Sequence, residues 1–378
     1  MNEELANMNR AEMLECAEKI WEVIKNSDPE KLRLTVDVLT EAIGSNPEDT
    51  DSLTVRGLIR KELGEHRLAT EDFSRVIALV PGDAATYLER ARSHAMLGDQ
   101  RAAIEDYDEA IRLAPGNSVA YCDRGVAVAE LGDVAGAFRD FETAIELAPD
   151  DADAHYNRGL AHFQMRRPHD ALEDFTRAID LNPRLTIAMH NRALVHLELG
   201  HNERALGDLD AVIELEPGDP IALKHRGIVK LQMGDMEGAL RDLDHSVELD
   251  HGDAGALRSR GAVLGSMGTY EAAFGDFEIS LRIDPDNAIA LAARALSHVG
   301  LGRHEQAITD YGKAIDLDPG NERLLNSRGM VLMDVGEYGR AIDDFNAALK
   351  VDPANSAART GIALAGLMQA EGDPSDGG

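Results

Sequence analysis

The sequence predicts an all-α solenoid, a stack of antiparallel helix pairs, and three observations carry that prediction. Pro47, Pro81, Pro115, Pro149, Pro183, Pro217, Pro285, Pro319 and Pro353 recur every 34 residues, with one gap of 68 in which His251 takes the missing slot. Each period contains two runs of apolar or small residues at helical spacing. Only 4% of the 378 residues are aromatic, which fits thin stacked layers better than one thick core. A fixed period of this size marks an array whose single unit cannot bury its own apolar face and needs neighbours.

Numbering a unit so that the proline falls at position 32, the first helix carries its stripe at positions 4, 8 and 11, and the second at 20, 24, 27, 28 and 30–31. Position 20 is alanine in all of the second to tenth units: Ala69, Ala103, Ala137, Ala171, Ala205, Ala239, Ala273, Ala307 and Ala341. Position 8 is only Gly or Ala, as Gly57, Ala91, Gly125, Gly159, Ala193, Gly227, Gly261, Ala295 and Gly329. Glycine inside a helix costs about 1 kcal/mol against alanine, so its recurrence predicts a close backbone approach there. Gly64, Gly98, Gly132, Gly200, Gly234, Gly268, Gly302 and Gly336 at position 15 end the first helix as left-handed caps. The proline stops the second helix.

In order along the chain, residues 1–15 begin an N-terminal capping helix expected over 3–25. Residues 16–49 are a degenerate first unit that keeps only its second helix, Lys31 to Gly44, with Lys19 and Val23 breaking the pattern and Trp21 out of register. Residues 50–355 hold nine regular units, the fifth with Arg166 in place of the inter-helix glycine. Residues 356–370 repeat a first helix with no second one and form a C-terminal cap. Residues 371–378, rich in Gly, Asp, Pro and Ser, are expected to be a disordered acidic tail.

This pattern resembles the tetratricopeptide repeat (TPR), with its small residue at 8, Gly at 15, Ala at 20, aromatic at 24, Ala at 27 and Pro at 32, over roughly nine-tenths of the chain. The resemblance implies a right-handed superhelix whose first helices line a concave groove. The family's Trp at position 4 occurs nowhere.

Position 7 is arginine in nine consecutive units: Arg56, Arg90, Arg124, Arg158, Arg192, Arg226, Arg260, Arg294 and Arg328. Position 23 is aspartate in the same nine: Asp72, Asp106, Asp140, Asp174, Asp208, Asp242, Asp276, Asp310 and Asp344. In an antiparallel pair position 7 lies beside position 23, so the two sets form a structural ion-pair ladder, closed within a unit or across to the next. An anion-binding stripe would not bring an aspartate with every arginine.

The formal charge is −31, from 38 Lys+Arg against 69 Asp+Glu. Such a surface repels phosphate backbones and excludes nucleic acid as the expected partner. Removing the ladder still leaves a strong acidic excess, read first as solubility or a composition bias, given 30 arginines to eight lysines. Cys16 and Cys122 cannot build a disulfide framework, the N-terminus is acidic, and no apolar run reaches a membrane span, so the expected location is cytoplasmic.

Positions 2, 5, 9, 12 and 13 line the groove by resemblance. In the middle units the candidate partner-binding residues are Tyr156, Asn157, Leu160, Phe163, His190, Asn191, Leu194, Leu197, Lys224, Ile228 and Leu231, an apolar strip with a polar rim. Two readings stand: a peptide groove, or packing of positions 9 and 12 against the neighbouring first helix. The co-chaperone clamp for a C-terminal carboxylate needs Lys and Asn in one unit; here Lys224 is followed by Ile228, Ser259, Ile289 and Ala293, which argues against it. His94, His162, His196 and His298 share position 11 and are expected to pack in place of the family's tyrosine, since equivalent residues of adjacent units stand too far apart to share an ion. No metalloprotease, phosphate-loop, dinucleotide or nucleophile-elbow motif occurs. The expected function is therefore a non-catalytic protein-interaction scaffold, with no cofactor and no metal, binding an apolar or amphipathic partner segment. A self-assembling homo-oligomer and a regulatory subunit of an enzyme or signalling complex are the alternatives.

Overall fold

A computed structural model describes residues 28–371, and the helix expected over residues 3–25 lies outside them. The described residues are helical with no strand, and divide into two compact units, the first ending at Ala188 and the second beginning at Met189. In the first unit α1 (Pro29–Ser45) precedes four helix pairs: α2 (Thr50–Glu62) with α3 (His66–Leu79), α4 (Ala84–Met96) with α5 (Gln100–Leu113), α6 (Ser118–Glu130) with α7 (Val134–Leu147), and α8 (Ala152–Gln164) with α9 (Pro168–Leu181). The division falls inside α10 (Thr186–Glu198). The second unit continues with α11 (Asn202–Leu215), α12 (Pro220–Gln232), α13 (Met236–Leu249), α14 (Ala254–Ser266) and α15 (Tyr270–Ile283). It ends with α16 (Ala288–Gly300), α17 (His304–Leu317), α18 (Glu322–Asp334), α19 (Tyr338–Val351) and α20 (Ser356–Glu371).

The boundaries follow local chemistry. First helices open on a side-chain cap, with Asp49, Asp83, Asn117, Asp151, Asp219, Asp253, Asn287 and Asn321 each accepting from a main-chain N–H of the first turn. The tight turn to the second helix uses positive φ at the eight position-15 glycines. Arg166 adopts φ 59° in their place, the one non-glycine residue with positive φ among the described residues.

Core packing is shared between pairs. In the second unit one cluster joins Leu281 of α15, Ala290, Leu291 and Ala295 of α16, Tyr311 of α17 and Val331 of α18. In the first, Phe141 of α7 meets Cys122 of α6 and Ala154 of α8. The nine position-20 alanines are fully buried. The position-8 glycines correct one expectation: no backbone is the nearest group. A Cβ on Gly159 would lie 2.8 Å from the Phe175 ring, and one on Gly125 2.6 Å from that of Phe141. The aromatic at position 24 of the same pair rests on the bare Cα at five of the six; at Gly227 the neighbours are Leu243 and, at 3.2 Å, the Ala239 carbonyl. Where position 8 is Ala91, Ala193 or Ala295, position 24 is Tyr107, Leu209 or Tyr311, not Phe.

Candidate functional site

All nine arginines of the ladder hold the aspartate of their own pair through two parallel bonds, Nε to Oδ2 and Nη2 to Oδ1. The Nε distances are 2.6–2.9 Å and the Nη2 distances 2.6–2.7 Å, as in Arg56–Asp72, Arg294–Asp310 and Arg328–Asp344. Arg90–Asp106, Arg124–Asp140, Arg158–Asp174, Arg192–Asp208, Arg226–Asp242, Arg260–Asp276 and Arg294–Asp310 repeat the geometry. This fork leaves Nη1 free to reach back to position 25 of the preceding pair. Arg56 donates to Thr40, Arg90 to Ser74, Arg124 to Asp108, Arg226 to Asp210 and Arg260 to Asp244, at 2.7–3.1 Å. In these five pairs the arginine closes its own pair and staples it to the one before. Sequence reasoning did not identify position 25, although its acceptors also stand 16 residues from the arginine.

Position 11 adds a further neighbour to the aspartate. Arg60 and Lys230 donate to Asp72 and Asp242 at 2.7 Å, while the Nε2 atoms of His94, His162 and His298 stand 4.0, 3.7 and 3.8 Å from Asp106, Asp174 and Asp310. His162 and His298 also pack on Phe138 and Phe274, ring centroids 4.9 Å apart. Burial lowers the pKa of His196 and His298. For Asp242 burial opposes ionisation, but Arg226 and Lys230 together bring its pKa below the usual carboxylate value. No group of three or more potential metal ligands exists among the described residues.

The eleven candidate groove residues are all half-buried, neither exposed nor enclosed. In the first unit Tyr156 leans on Phe175, Asn157 donates to Cys122 Sγ at 3.5 Å, and Leu160 and Phe163 lie along the same helix, α8. In the second unit His190, Asn191, Leu194 and Leu197 lie on α10, and Lys224, Ile228 and Leu231 on α12. Lys224 is bonded to Asp253 at 2.6 Å. Beside it His225 Nδ1 lies 3.0 Å from His190 Nε2, a pairing between rings whose charging burial disfavours; the His225 pKa is pushed down to about 4 by that burial, His190 and Lys224.

Farther along the second unit, exposed apolar side chains recur at position 9 of successive first helices, although single residues elsewhere, Met96 on α4 and Leu367 on α20, are more exposed still. Leu296 is 59% exposed, Met330 52% and Leu364 46%, with Ile289 also exposed on α16. Between α14 and α16 a hollow of ≈ 450 Å³ opens, floored by Gly261, Ala262, Gly265 and Ala293 and edged by Leu296 and Tyr270. It exists because α14 carries Ala262, Gly265 and Ser266 at positions 9, 12 and 13, where α10 carries Leu194, Leu197 and Glu198. Gly300 lets the Tyr270 ring lie against α16, since a Cβ there would stand 2.5 Å from the ring.

Models of the tetratricopeptide repeat match residues 54–118, 152–185, 190–254, 288–321 and 326–374, and a TPR-repeat model matches 129–165. The chain belongs to the TPR family. Among solved structures this TPR chain is similar to the APC/C hetero-tetramer Cut9–Hcn1, at 14% identity over 84% of this chain and 76% of that one, TM-score 0.57. A TPR protein from Parabacteroides merdae matches at 21% identity over 66% and 98% of the two chains, TM-score 0.52. The pilF protein of Pseudomonas aeruginosa matches at 20% identity over 54% and 93%, TM-score 0.50. At these identities the likeness is one of fold. No curated protein matches the sequence. TPR arrays are protein-interaction scaffolds, and their fold is typically non-catalytic. No helix among the described residues is long and apolar enough to cross a membrane.

Proposed function

We propose that this TPR chain is a non-catalytic, cytoplasmic adaptor that holds an apolar or amphipathic segment of a partner protein against its first-helix face. The observation that carries the reading is the run Leu296, Met330 and Leu364. Three large apolar side chains stand about half-exposed at the same position of successive pairs, 34 residues apart, beside an open hollow. A recurring exposed apolar stripe bordered by polar residues has the composition of a docking surface. Leu194, Leu197, Ile228 and Leu231 belong to corresponding positions of α10 and α12 and form its more enclosed part. In the first unit Tyr156, Leu160 and Phe163 offer the same chemistry.

The test is affinity capture from native lysate with the full chain, Leu194→Glu/Leu197→Glu and Leu296→Glu/Met330→Glu, all three matched in melting temperature. The reading expects a partner whose recovery falls at least about tenfold on the second variant. Equal recovery on all three overturns it, and recovery of the chain alone assigns the face to self-assembly.

A further inference from the structure

The hollow between α14 and α16 differs in charge from the chain that carries it. The molecule is acidic, at −31, yet the charged residues at positions 2, 5, 6, 9, 12 and 13 of α14, α16 and α18 are Arg258, Arg323 and Asp334. Arg258 lies one turn before Ala262, on the same helix face as the hollow's floor. The ladder arginines are neutralised by their aspartates, whereas the Arg258 and Arg323 guanidinium groups have neither an ion pair nor a hydrogen bond among the described residues. Between them α16 contributes no charge at these positions, only Ile289, Ala292, Ala293, Leu296, Val299 and Gly300. An apolar cavity with the uncompensated Arg258 one turn from its floor selects against a basic segment, although the net charge of the chain favours one.

Resting on the reading of the first-helix face as a docking surface, we infer that this hollow receives one bulky apolar side chain of a partner peptide that carries carboxylates beside it. The apolar anchor fills the space left by Ala262, Gly265 and Ala293, against Leu296 and Tyr270. A flanking carboxylate meets Arg258, a match that an Arg fork makes with two parallel bonds. The acidic surface elsewhere repels such a segment, so the attraction is confined to this site and fixes where the segment sits.

A random-peptide display library selected on the full chain tests this directly. The expected result is enrichment of peptides that place Asp or Glu within a few residues of Leu, Phe or Trp. Their binding should fall at least tenfold on Gly265→Leu, which fills the hollow, and on Arg258→Glu. Gly265 has room for a side chain, its Cβ meeting only Ala273 at 3.8 Å, and its φ is not positive, so this variant should fold; circular dichroism and the melting temperature verify it. Enrichment of basic peptides, binding unchanged in Gly265→Leu, or no enrichment at all overturns the inference. If capture of the native partner is still lost in Leu296→Glu/Met330→Glu, the docking surface stands and only its acidic specificity fails.

Discussion

At Asp310 the design of the array is reduced to one carboxylate. Its side chain is 5% exposed and takes two bonds from Arg294, which is itself 19% exposed. Deleting the arginine leaves a buried charge without its fork, whereas deleting both charges leaves an apolar contact with an amide. Arg294→Met should therefore cost about 2–4 kcal/mol, and Arg294→Met/Asp310→Asn clearly less. Equal losses in a urea titration would reject the pairing as an energetic unit. The His190–His225 contact gives a second residue-scale outcome. The folded-state pKa of His225, about 4, lies below its unfolded value of ~6.5, so the neutral ring contributes stability that is fully present above pH ~6.5. That stability is lost as pH falls from there toward 4, because the unfolded chain binds the proton first. His225→Gln should flatten the stability profile in that window, and an unchanged slope in thermal melts would contradict the assignment. Asp242, with its depressed pKa, acts below that range, losing its contribution only as pH falls below the usual carboxylate value.

At the scale of the element, the helix pair was legible because its rules repeat. Alanine at position 20, the glycine turn at 15 and the arginine–aspartate spacing of 16 residues recur so often that each unit checks the others. The reason for glycine at position 8 was misread, because the sequence shows a small residue but not which neighbour needs the space; the neighbour is the side chain at position 24, a Phe ring at five of the six and Leu243 at Gly227. Acidic residues that looked like a diffuse surface charge turn out in part to be helix caps, among them Asp49, Asp83, Asp151, Asp219 and Asp253. Two substitutions test the element rules in opposite directions. Arg166→Gly should stabilise by about 0.5–1 kcal/mol, relieving a left-handed residue. Gly159→Ala should destabilise by about 1–3 kcal/mol despite alanine's better helix propensity, through its clash with Phe175. A denaturant titration of each variant reads both signs.

At the scale of the molecule, the site was less legible than the fold. Leu194, Leu197, Ile228 and Leu231, singled out from positions 9 and 12 of the repeat frame, are half-buried on α10 and α12. The hollow was not singled out, because it is made by absent volume at Ala262 and Gly265, and by a Tyr270 ring that fits only against Gly300. Small residues at those places read, in sequence, as more of the packing pattern. The claim that joins the scales is that the ladder and the position-24 rings hold the pairs rigid, leaving first-helix apolar residues of the second unit for a partner. Amide hydrogen exchange on the full chain, with and without the captured partner, tests it most directly. Added protection on α14, α16 and α18, with the second helices α15, α17 and α19 unchanged, is the predicted result. Protection confined to the second helices or to the inter-pair turns would contradict it.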